Sequence, residues 1–299
     1  MTAPRLVAAF LLCLGALAEA RPLEVSAAGD LQPGGTITDP FAGLATVLAG
    51  DVRFVNLEAP FTTRGLESDA RFRVAPARAA WLKGRVDVVS LANNHALDQG
   101  EAGRDDTVRA LAGVGVSAAW KGHDGEVVRD GRRVIVVARA LAPAAELDAE
   151  TESVEAVRAG AKRGVVIVSL HWGHTGSLLP TAAQRRLAAR LVDAGAVAVL
   201  GHGPHTLQGI ERRGRAVIAY SLGNLAFGCR CTDVTDAYAL RFTIEDSGAV
   251  THIRALPLVA GLLAPPAPST DAGLLELIET LSRDLGSKPQ RSAGVLKIE

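Results

Sequence analysis

The chain has 299 residues, of which 48% are hydrophobic and only 4% aromatic, and its formal net charge is zero. The length allows one large domain or two small ones, and a hydrophobic content carried mainly by Ala, Val and Leu is typical of an α/β protein with closely packed helices. The balanced charge argues against the basic face that nucleic-acid binding needs, so no nucleic-acid partner is expected.

The first twenty residues have the pattern of an export signal rather than of a folded segment. Arg5 supplies a positive charge, Leu6–Leu17 form a short apolar run, and Ala18–Ala20 (A-E-A) fit a small-x-small cleavage site. The apolar run is shorter than the roughly 20 residues of a membrane span. Cleavage would place a mature chain that begins at Arg21 in the periplasm or cell envelope. A retained N-terminal anchor is the alternative.

Strand and helix patterns follow between residues 21 and 260, which we expect to form one domain. Apolar runs indicate strands, and segments with one hydrophobic face indicate helices. In chain order the predicted elements are strand Val25–Ala28, helix Asp39–Leu48, strand Val52–Val55, helix Pro76–Lys83, strand Val86–Leu91, helix Glu101–Ala112, strand Arg132–Ala138, helix Pro143–Arg163, strand Val165–Leu170, helix Thr181–Ala194, and strands Ala196–Leu200, Ala216–Leu222, Tyr238–Ile244 and Val250–Leu256. The last two are expected to pair as an antiparallel hairpin. The polar, arginine-containing segment 62–74 is expected to be a surface loop.

Residues 261–299 are expected to lie outside this domain. The sequence A-P-P-A-P after Gly261 is typical of a linker, Leu274–Leu285 can form a helix, and the polar last dozen residues are expected to fray. Cys229 and Cys231 form a C-R-C motif before this segment. An exported protein favours their oxidation, but a bridge across one residue is a tight, strained ring. A local structural feature is the favoured interpretation, with two thiols without a role or an intermolecular bridge as alternatives, and the redox state is left open.

The most informative stretch is Val86–Gly100, V-D-V-V-S-L-A-N-N-H-A-L-D-Q-G. It begins as an apolar run, typical of a strand buried on both faces, and then changes to Asn93, Asn94 and His95. Open α/β sheets bind their ligands at the carboxyl ends of strands. Taken alone, the polar tripeptide is explained equally well as a turn.

Other predicted strands also end in nitrogen and oxygen side chains. The residues at these ends are Asp30, Glu58, Asn94, His95, His171, His174, His202 and His205. Imidazole and carboxylate without thiolate suit Mn, Fe or Zn rather than Ca. Because these candidates exceed the need of one ion, two ions bridged by a carboxylate are expected. Such a pair would activate water and stabilise charge on a phosphoryl or carbonyl group, while a nearby histidine could protonate the leaving group.

Six motifs in order resemble the CapA family, which is linked to bacterial poly-γ-glutamate capsule synthesis and belongs to the calcineurin-like metallophosphatase superfamily. They are G-D at Gly29, N-L-E at Asn56, S-L-A-N-N-H-A-L-D-x-G at Ser90, S-L-H-W-G at Ser169, G-H-G-P-H at Gly201 and Y-S-L-G-N at Tyr220. The resemblance implies an α/β fold: a four-layer αββα metallophosphatase-like sandwich with two mixed central sheets.

The resemblance also implies a role for each residue at a matching position. The metal ligands would be Asp30 and His205 for one ion, Asn94, His171 and His202 for the other, and Glu58 as the bridge. His95 would be the general acid. The candidates for substrate binding are Asn56, His174 and Asn224, although Asn224 could equally bond a metal ligand or cap its strand.

The chain departs from the superfamily pattern at several positions near these ligands. Gln32 stands where a histidine is common, and Gly203 stands at the third place of a motif that commonly has G-x-H-P-H. Thr175 replaces a common acidic residue, and Leu225 replaces the phenylalanine of S-L-G-N-F. The departure at Gln32 concerns the first metal directly.

Two functional hypotheses follow. The first is an exported hydrolase that uses two divalent ions (Mn, Fe or Zn) to cleave a phosphoester or a γ-glutamyl-type amide bond of a cell-envelope polymer. The second is a non-catalytic accessory protein that binds polymer or assists capsule assembly on the same fold. An anionic polymer or phosphoester is the expected substrate in the first case, and membrane capsule-synthesis proteins are further candidate partners.

Overall fold

A computed structural model describes residues 21–65, 72–141 and 148–299 of the chain. The predicted export signal, residues 1–20, lies outside the described residues. So do residues 66–71 of the predicted arginine-containing loop and residues 142–147, which fall at the start of the predicted helix Pro143–Arg163.

Strands make up most of the regular structure. In chain order they are β1 (Leu23–Gln32), β2 (Val52–Leu57), β3 (Val88–Ser90), β4 (Ser117–Ala119), β5 (Gly125–Arg129), β6 (Arg132–Ala140), β7 (Val165–His171), β8 (Ala196–His202), β9 (Ile210–Arg213), β10 (Ala216–Ala219), β11 (Asn224–Phe227), β12 (Asp236–Ile244), β13 (Val250–Val259), β14 (Gly261–Leu262), β15 (Ala267–Pro268), β16 (Pro289–Ser292) and β17 (Val295–Ile298). The α-helices are α1 (Gly100–Ala112), α2 (Asp148–Ala161), α3 (Ala182–Asp193) and α4 (Ala272–Asp284), and a 3-10 helix covers Pro76–Leu82. Within the described residues, no helix is long and apolar enough to cross a membrane.

These strands form two mixed sheets. The first has eleven strands with the main order β16-β17-β13-β12-β1-β2-β3-β4. Strands β1 to β4 run parallel, β12 pairs antiparallel with the first half of β1, and β11 pairs parallel with its last residues. The second sheet has the order β5-β6-β7-β8-β10-β9, with parallel central strands and antiparallel edges.

The two sheets face each other across one hydrophobic core. Phe54 and Tyr238 of the first sheet share this core with Ile167 of the second. Helix α1 buries Leu111 on the outer side of the first sheet, and α3 buries Leu187 on the outer side of the second. Since both faces of each sheet are covered, the central strands are apolar at successive positions. The predicted four-layer αββα sandwich with two mixed sheets is confirmed.

Most predicted elements between residues 21 and 260 are present, with boundaries shifted by a few residues. The helix predicted at Asp39–Leu48 is wrong, because this segment forms a series of turns. The Asp39 carboxylate accepts a hydrogen bond from the backbone of Phe41, and Gly43 has a φ of +72°. A left-handed residue at this point interrupts a helix. The helix predicted at Pro76–Lys83 forms as a 3-10 helix.

The prediction of a frayed C-terminus is also wrong. Strand β17 pairs with β13, and β16 closes a hairpin on β17 at the edge of the first sheet. Leu296 and Ile298 are buried in the core between the sheets, together with Ile278 of α4. The Pro-rich segment that precedes α4 contains β14 and β15, which pair with β11 and β13. Residues 261–299 therefore extend the first sheet.

A core substitution in α4 tests this packing. Ile278 is fully buried, so Ile278→Ala should lower the free energy of unfolding by about 2–5 kcal/mol through lost contacts and a residual cavity. Thr280→Ala, at an exposed position of the same helix, should change it by no more than about 0.5 kcal/mol. Urea denaturation followed by circular dichroism measures both. Equal stability of the two variants would show that α4 is not part of the core.

Candidate metal centre

Four strands from the two sheets bring the predicted metal ligands to one edge of the sandwich. In the first sheet, β1 contains Asp30 and β2 ends immediately before Glu58. In the second sheet, His171 and His202 are the last residues of β7 and β8 and are direct partners across these strands. His205 follows β8 by three residues. Each strand is apolar along its length and polar at its end, so folding of the apolar parts assembles the polar ones.

The five side chains approach one another in pairs. Asp30 Oδ1 lies 3.4 Å from His202 Nδ1, and Asp30 Oδ2 lies 3.2 Å from His205 Nδ1. Glu58 Oε1 lies 3.2 Å from His171 Nε2 and 3.8 Å from His205 Nε2. Asp30, Glu58 and His205 each offer a ligand atom, and these three atoms all lie within 4.8 Å of one another. This spacing allows the three side chains to hold a metal ion.

Two buried groups of this cluster have polar atoms without a hydrogen-bond partner among the described residues. These atoms are both ring nitrogens of His202, although one of them faces Asp30, and Oε2 of Glu58. Both side chains are fully buried, and each such atom costs about 1–3 kcal/mol when it has no partner. A cation bound among these groups would remove that cost, and the donor set of imidazole and carboxylate suits Mn, Fe or Zn. The residues present fit a metal ion.

Asp30 and His205 form a charged pair. Burial disfavours the ionised form of Asp30, but the contacts of its carboxylate with His202 and His205 outweigh burial and hold the pKa of Asp30 well below its ordinary value. Burial also disfavours the charged form of His205, but the hydrogen bond and the charge of Asp30, and then the charge of Glu58, raise the pKa of His205 to about 9. A metal ion that binds through His205 must displace this proton.

Two buried asparagines hold Asp30. Asn93 donates through Nδ2 to Asn56 Oδ1 at 3.1 Å and to the carbonyl of Leu57 at 2.9 Å. Asn56 donates in turn through Nδ2 to Asp30 Oδ1 at 2.8 Å. Asn56, a predicted substrate-binding residue, is fully buried, and its amide group is bonded to the predicted metal ligand Asp30. Asn93 was assigned no role from the sequence, although a second asparagine directly after a buried strand is a signal that could have identified it.

A third buried asparagine holds His205. Asn224 Nδ2 donates to the carbonyl of Val234 at 3.1 Å, which turns Oδ1 towards His205 Nδ1 at 3.1 Å. His205 Nδ1 is therefore a donor, and Nε2 is the nitrogen that faces Glu58 and is left to bind a metal. Of the alternatives open for Asn224, the bond to a predicted metal ligand is present in the structure. His205 itself has a φ of +58°, a strained backbone conformation of the kind that functional sites retain.

Two glycines allow β1 and β11 to approach closely beside Asp30. A Cβ atom on Gly29 would lie 1.8 Å from the carbonyl oxygen of Gly223, and Gly223 has a φ of +74°. The backbone N–H of Asp30 donates to that carbonyl at 3.1 Å. The G-D and L-G-N motifs therefore meet at one contact, which places Asp30 next to Asn224.

Gln32 points its amide oxygen at backbone groups of two loops. Its Oε1 accepts hydrogen bonds from the N–H groups of Gly34 at 3.2 Å and Gly228 at 2.8 Å. Gln32 thus fastens the loop that follows β11, and it does not supply the metal ligand that a histidine would provide at this position. In the same loop Cys229 and Cys231 form a disulfide, a redox state that the sequence left open.

The remaining predicted metal ligands are arranged differently from the expected division. His202 is predicted to share an ion with His171 and Asn94, but its ring lies beside Asp30. Asn94 is exposed and lines a cavity of about 460 Å³ together with His171 and His205. This cavity, called the metal cavity below, is the opening through which a ligand reaches the cluster.

Two predicted residues lie apart from the cluster. His95 Nδ1 is 2.7 Å from Asp98 Oδ2, and its ring stacks on Phe72 with 3.6 Å between ring centroids. It does not line the described part of the metal cavity. His174 is exposed in the loop after β7. Asp98 was not assigned a role from the sequence, although its position three residues after His95 in a turn is a recognisable signal.

Comparison with known proteins agrees with this geometry. The model of the bacterial capsule synthesis protein family PGA_cap matches residues 13–229 of the chain.

The chain belongs to the bacterial capsule synthesis protein family.

Relatives in this family include the capsule biosynthesis protein CapA of Bacillus anthracis, which is 29% identical over 209 residues, 62% of this chain and 50% of the relative. A probable polyglutamine synthesis accessory protein of Mycobacterium tuberculosis is 31% identical over 291 residues, 80% of this chain and 74% of the relative. The PGA biosynthesis protein CapA of Bacillus subtilis is 29% identical, with 54% of this chain and 48% of the relative covered. The chain thus spans about half the length of the two Bacillus relatives.

The asparagine chain yields a test of metal binding in this family member. Asn56→Ala should weaken Mn²⁺ binding by about 10–100-fold, because Asp30 loses the donor that orients it. Isothermal titration calorimetry measures the dissociation constant. Gln208→Ala, which removes a buried amide bonded to the carbonyl of Ser177, should leave the dissociation constant unchanged. If Asn56→Ala binds Mn²⁺ as tightly as the wild type, Asn56 does not position a metal ligand.

The raised pKa of His205 predicts how stability changes with pH when metal is removed by a chelator. A histidine whose pKa rises from an ordinary 6.5 to about 9 on folding stabilises the protein fully below pH 6.5. That contribution is lost as the pH rises through 9, so the thermal midpoint should fall between pH 6.5 and 9. His205→Gln, which cannot ionise, should show no such fall. A wild-type midpoint that rises or stays level over this range would contradict the charged pair.

Proposed function

We propose that this protein is an exported, metal-dependent hydrolase that cleaves a phosphoester or a γ-glutamyl-type amide bond in a cell-envelope polymer. The observation that carries the proposal is the convergence of five nitrogen- and oxygen-bearing side chains from both sheets, with buried His202 and Glu58 atoms that have no partner among the described residues. An open cavity leads to them. The N-terminal signal pattern supports export.

Two divalent ions, Mn, Fe or Zn, are the proposed cofactors. Asp30, His205 and the Glu58 carboxylate would hold the first, and Glu58, His171 and Asn94 the second, with His202 beside Asp30 as a further ligand. When bound, the ions supply concentrated positive charge that lowers the pKa of water and stabilises negative charge on the reacting group. Gln32 contributes no ligand, so the first ion depends on fewer side chains than the superfamily pattern provides.

The polar side chains around the ligands have separate tasks. Asn56 and Asn224 fix the orientations of Asp30 and His205 before substrate arrives, so that no free energy is spent on ordering them during the reaction. Asn94, exposed at the wall of the metal cavity, can donate its amide N–H to a substrate oxygen. His174, exposed in the loop after β7, is a second candidate for contact with an extended substrate.

His95 is the proposed general acid. Asp98 accepts the Nδ1 proton of His95, and the ring of Phe72 holds the imidazole in plane. In the doubly protonated imidazolium form, Nε2 would carry the proton that a leaving group requires, and donation of that proton would leave the neutral ring with its Nδ1 proton on the Asp98 side. Since His95 lies at the side of the metal cavity, substrate must extend beyond the ligand cluster to reach it.

The proposed substrate is an anionic polymer or its phosphoester precursor. The relatives carry names that refer to capsule and polyglutamine synthesis, and a chain of carboxylates would be drawn to a cationic metal centre. Membrane proteins of capsule synthesis are proposed partners on the same grounds.

A non-catalytic accessory role is the second candidate. Two observations favour it: Gln32 takes the place of a ligand and bonds to backbone groups, and His95 does not line the described part of the metal cavity. The M. tuberculosis relative is named as an accessory protein. In this role the protein would bind metal and polymer without turnover.

The substitution His95→Ala separates the two candidates. With Mn²⁺ bound and bis(p-nitrophenyl) phosphate or γ-glutamyl p-nitroanilide as substrate, kcat should fall by about 10²–10⁴-fold, the usual contribution of a general acid. The Mn²⁺ dissociation constant should not change. His252→Ala, at an exposed histidine of β13, should retain full activity.

The hydrolase would be refuted by two results together: the purified wild-type protein binds Mn²⁺ but hydrolyses neither compound, and cells that carry His95→Ala make as much polymer as wild-type cells. The same two results would support the accessory role. If His95→Ala hydrolysed the compounds with the wild-type kcat, the protein would still be a hydrolase, but His95 would not be its general acid.

A further inference from the structure

A second, smaller cavity lies next to the metal cavity. It has a volume of about 190 Å³, and Ala140 at the end of β6 lines both cavities. The loop after β3 separates them, with Asn93 in the lining of the small cavity and Asn94 in the lining of the metal cavity. We call the small cavity the slot and define it by Ala96, Leu97, Arg104, Trp120, Lys121 and Ala140. The two cavities are therefore neighbours that share Ala140 in their linings.

The slot combines apolar walls with positive charge. Leu91, Ala92 and Ala96 form one wall, and Leu97 stands at the rim with 54% of its surface exposed. Among the described residues that line the slot, Arg104 and Lys121 are charged and none is a carboxylate. The slot therefore presents apolar side chains beside two cations.

The two cations are available to a ligand. Arg104 lies 5.6 Å from the centre of the Trp120 ring, and its Nε is buried without a hydrogen-bond partner among the described residues. Within the part of the chain that the structure describes, Arg104 forms an ion pair with the adjacent Asp105 at 3.3 Å, through a terminal nitrogen. Lys121 pairs with Glu152 at 2.9 Å, but both side chains are largely exposed. Such exposed pairs contribute at most about 1 kcal/mol, so an incoming anion can replace Glu152.

We propose that the slot is a substrate subsite for a carboxylate-bearing unit next to the bond that the metal centre cleaves. This inference rests on the proposed function and adds a second binding site for the substrate to it. The volume equals about six water molecules at ~30 Å³ each, which is room for one small unit and not for a folded polymer. Apolar walls fit a short aliphatic stem, and two cations fit one carboxylate.

Binding of a γ-linked glutamate trimer to chelator-treated protein tests the subsite without requiring catalysis. Calorimetry should show that the double substitution Arg104→Gln and Lys121→Gln weakens binding by about tenfold or more, as expected for the loss of a charged hydrogen bond. A trimer with all carboxylates amidated should bind equally weakly to wild type and variant. Arg158→Gln, which removes an exposed arginine of α2 that pairs with Glu155, is the matched control and should bind as wild type.

A second variant places a negative charge at the rim. Leu97→Asp changes an exposed side chain and should leave folding intact, but it should also weaken trimer binding by about tenfold through repulsion. Glutarate should displace the trimer at lower concentration than glycerol 3-phosphate does. The proposal would be overturned if both variants bound the trimer with the wild-type dissociation constant, or if glycerol 3-phosphate displaced the trimer at a lower concentration than glutarate. If the variants and competitors give the expected binding results but the wild-type protein with Mn²⁺ hydrolyses neither test compound, the proposed function is refuted and the subsite is not.

Discussion

The structure depends on a buried carboxylate, Asp30, held between two imidazoles where the two sheets meet. An ion in this position is unfavourable unless every neighbouring group compensates for the lost water. His205 supplies positive charge. His202 Nδ1, Asn56 and the backbone of Gly203 face the carboxylate oxygens, and Gly223 accepts the N–H of the same residue. The close approach of β1 and β11 makes these contacts possible, and it requires glycine at both positions that meet there, Gly29 and Gly223.

The ligand set is divided between the sheets. Asp30 and Glu58 belong to the first sheet, while His171, His202 and His205 belong to the second, so neither sheet contains a complete site. Only the packed sandwich brings acid and imidazole together. Metal binding and packing of the two sheets are for this reason linked: an ion that requires ligands from both stabilises the face-to-face arrangement, and loosening of the core between the sheets separates the ligands.

Much of this arrangement was accessible from the sequence, because it follows from apolar strands that end in polar residues. Five of the six predicted metal ligands converge for that reason. Side-chain direction was not accessible: whether Asn56 faces substrate or turns to Asp30 depends on the pleat and register of β2. The segment Asp39–Leu48 was predicted as a helix because Asp-Pro is a helix-start signal, but Gly43 and the turn at Asp39 override it. The alternation of Leu296 and Ile298 with polar neighbours is a strand signal, yet it is too short to outweigh the polar composition around it.

The C-terminal hairpin determines how the protein would respond to truncation. Residues 261–299 cover the open side of β13, and a version shortened at residue 260, as the Pro-rich sequence invites, would leave β13 as a long edge with its N–H and C=O groups bare. It would also remove α4 from β9, where the Ile210 N–H donates to Ser282 Oγ of that helix. Such edges recruit strands from other copies, so removal of residues 261–299 would favour aggregation over a smaller folded domain.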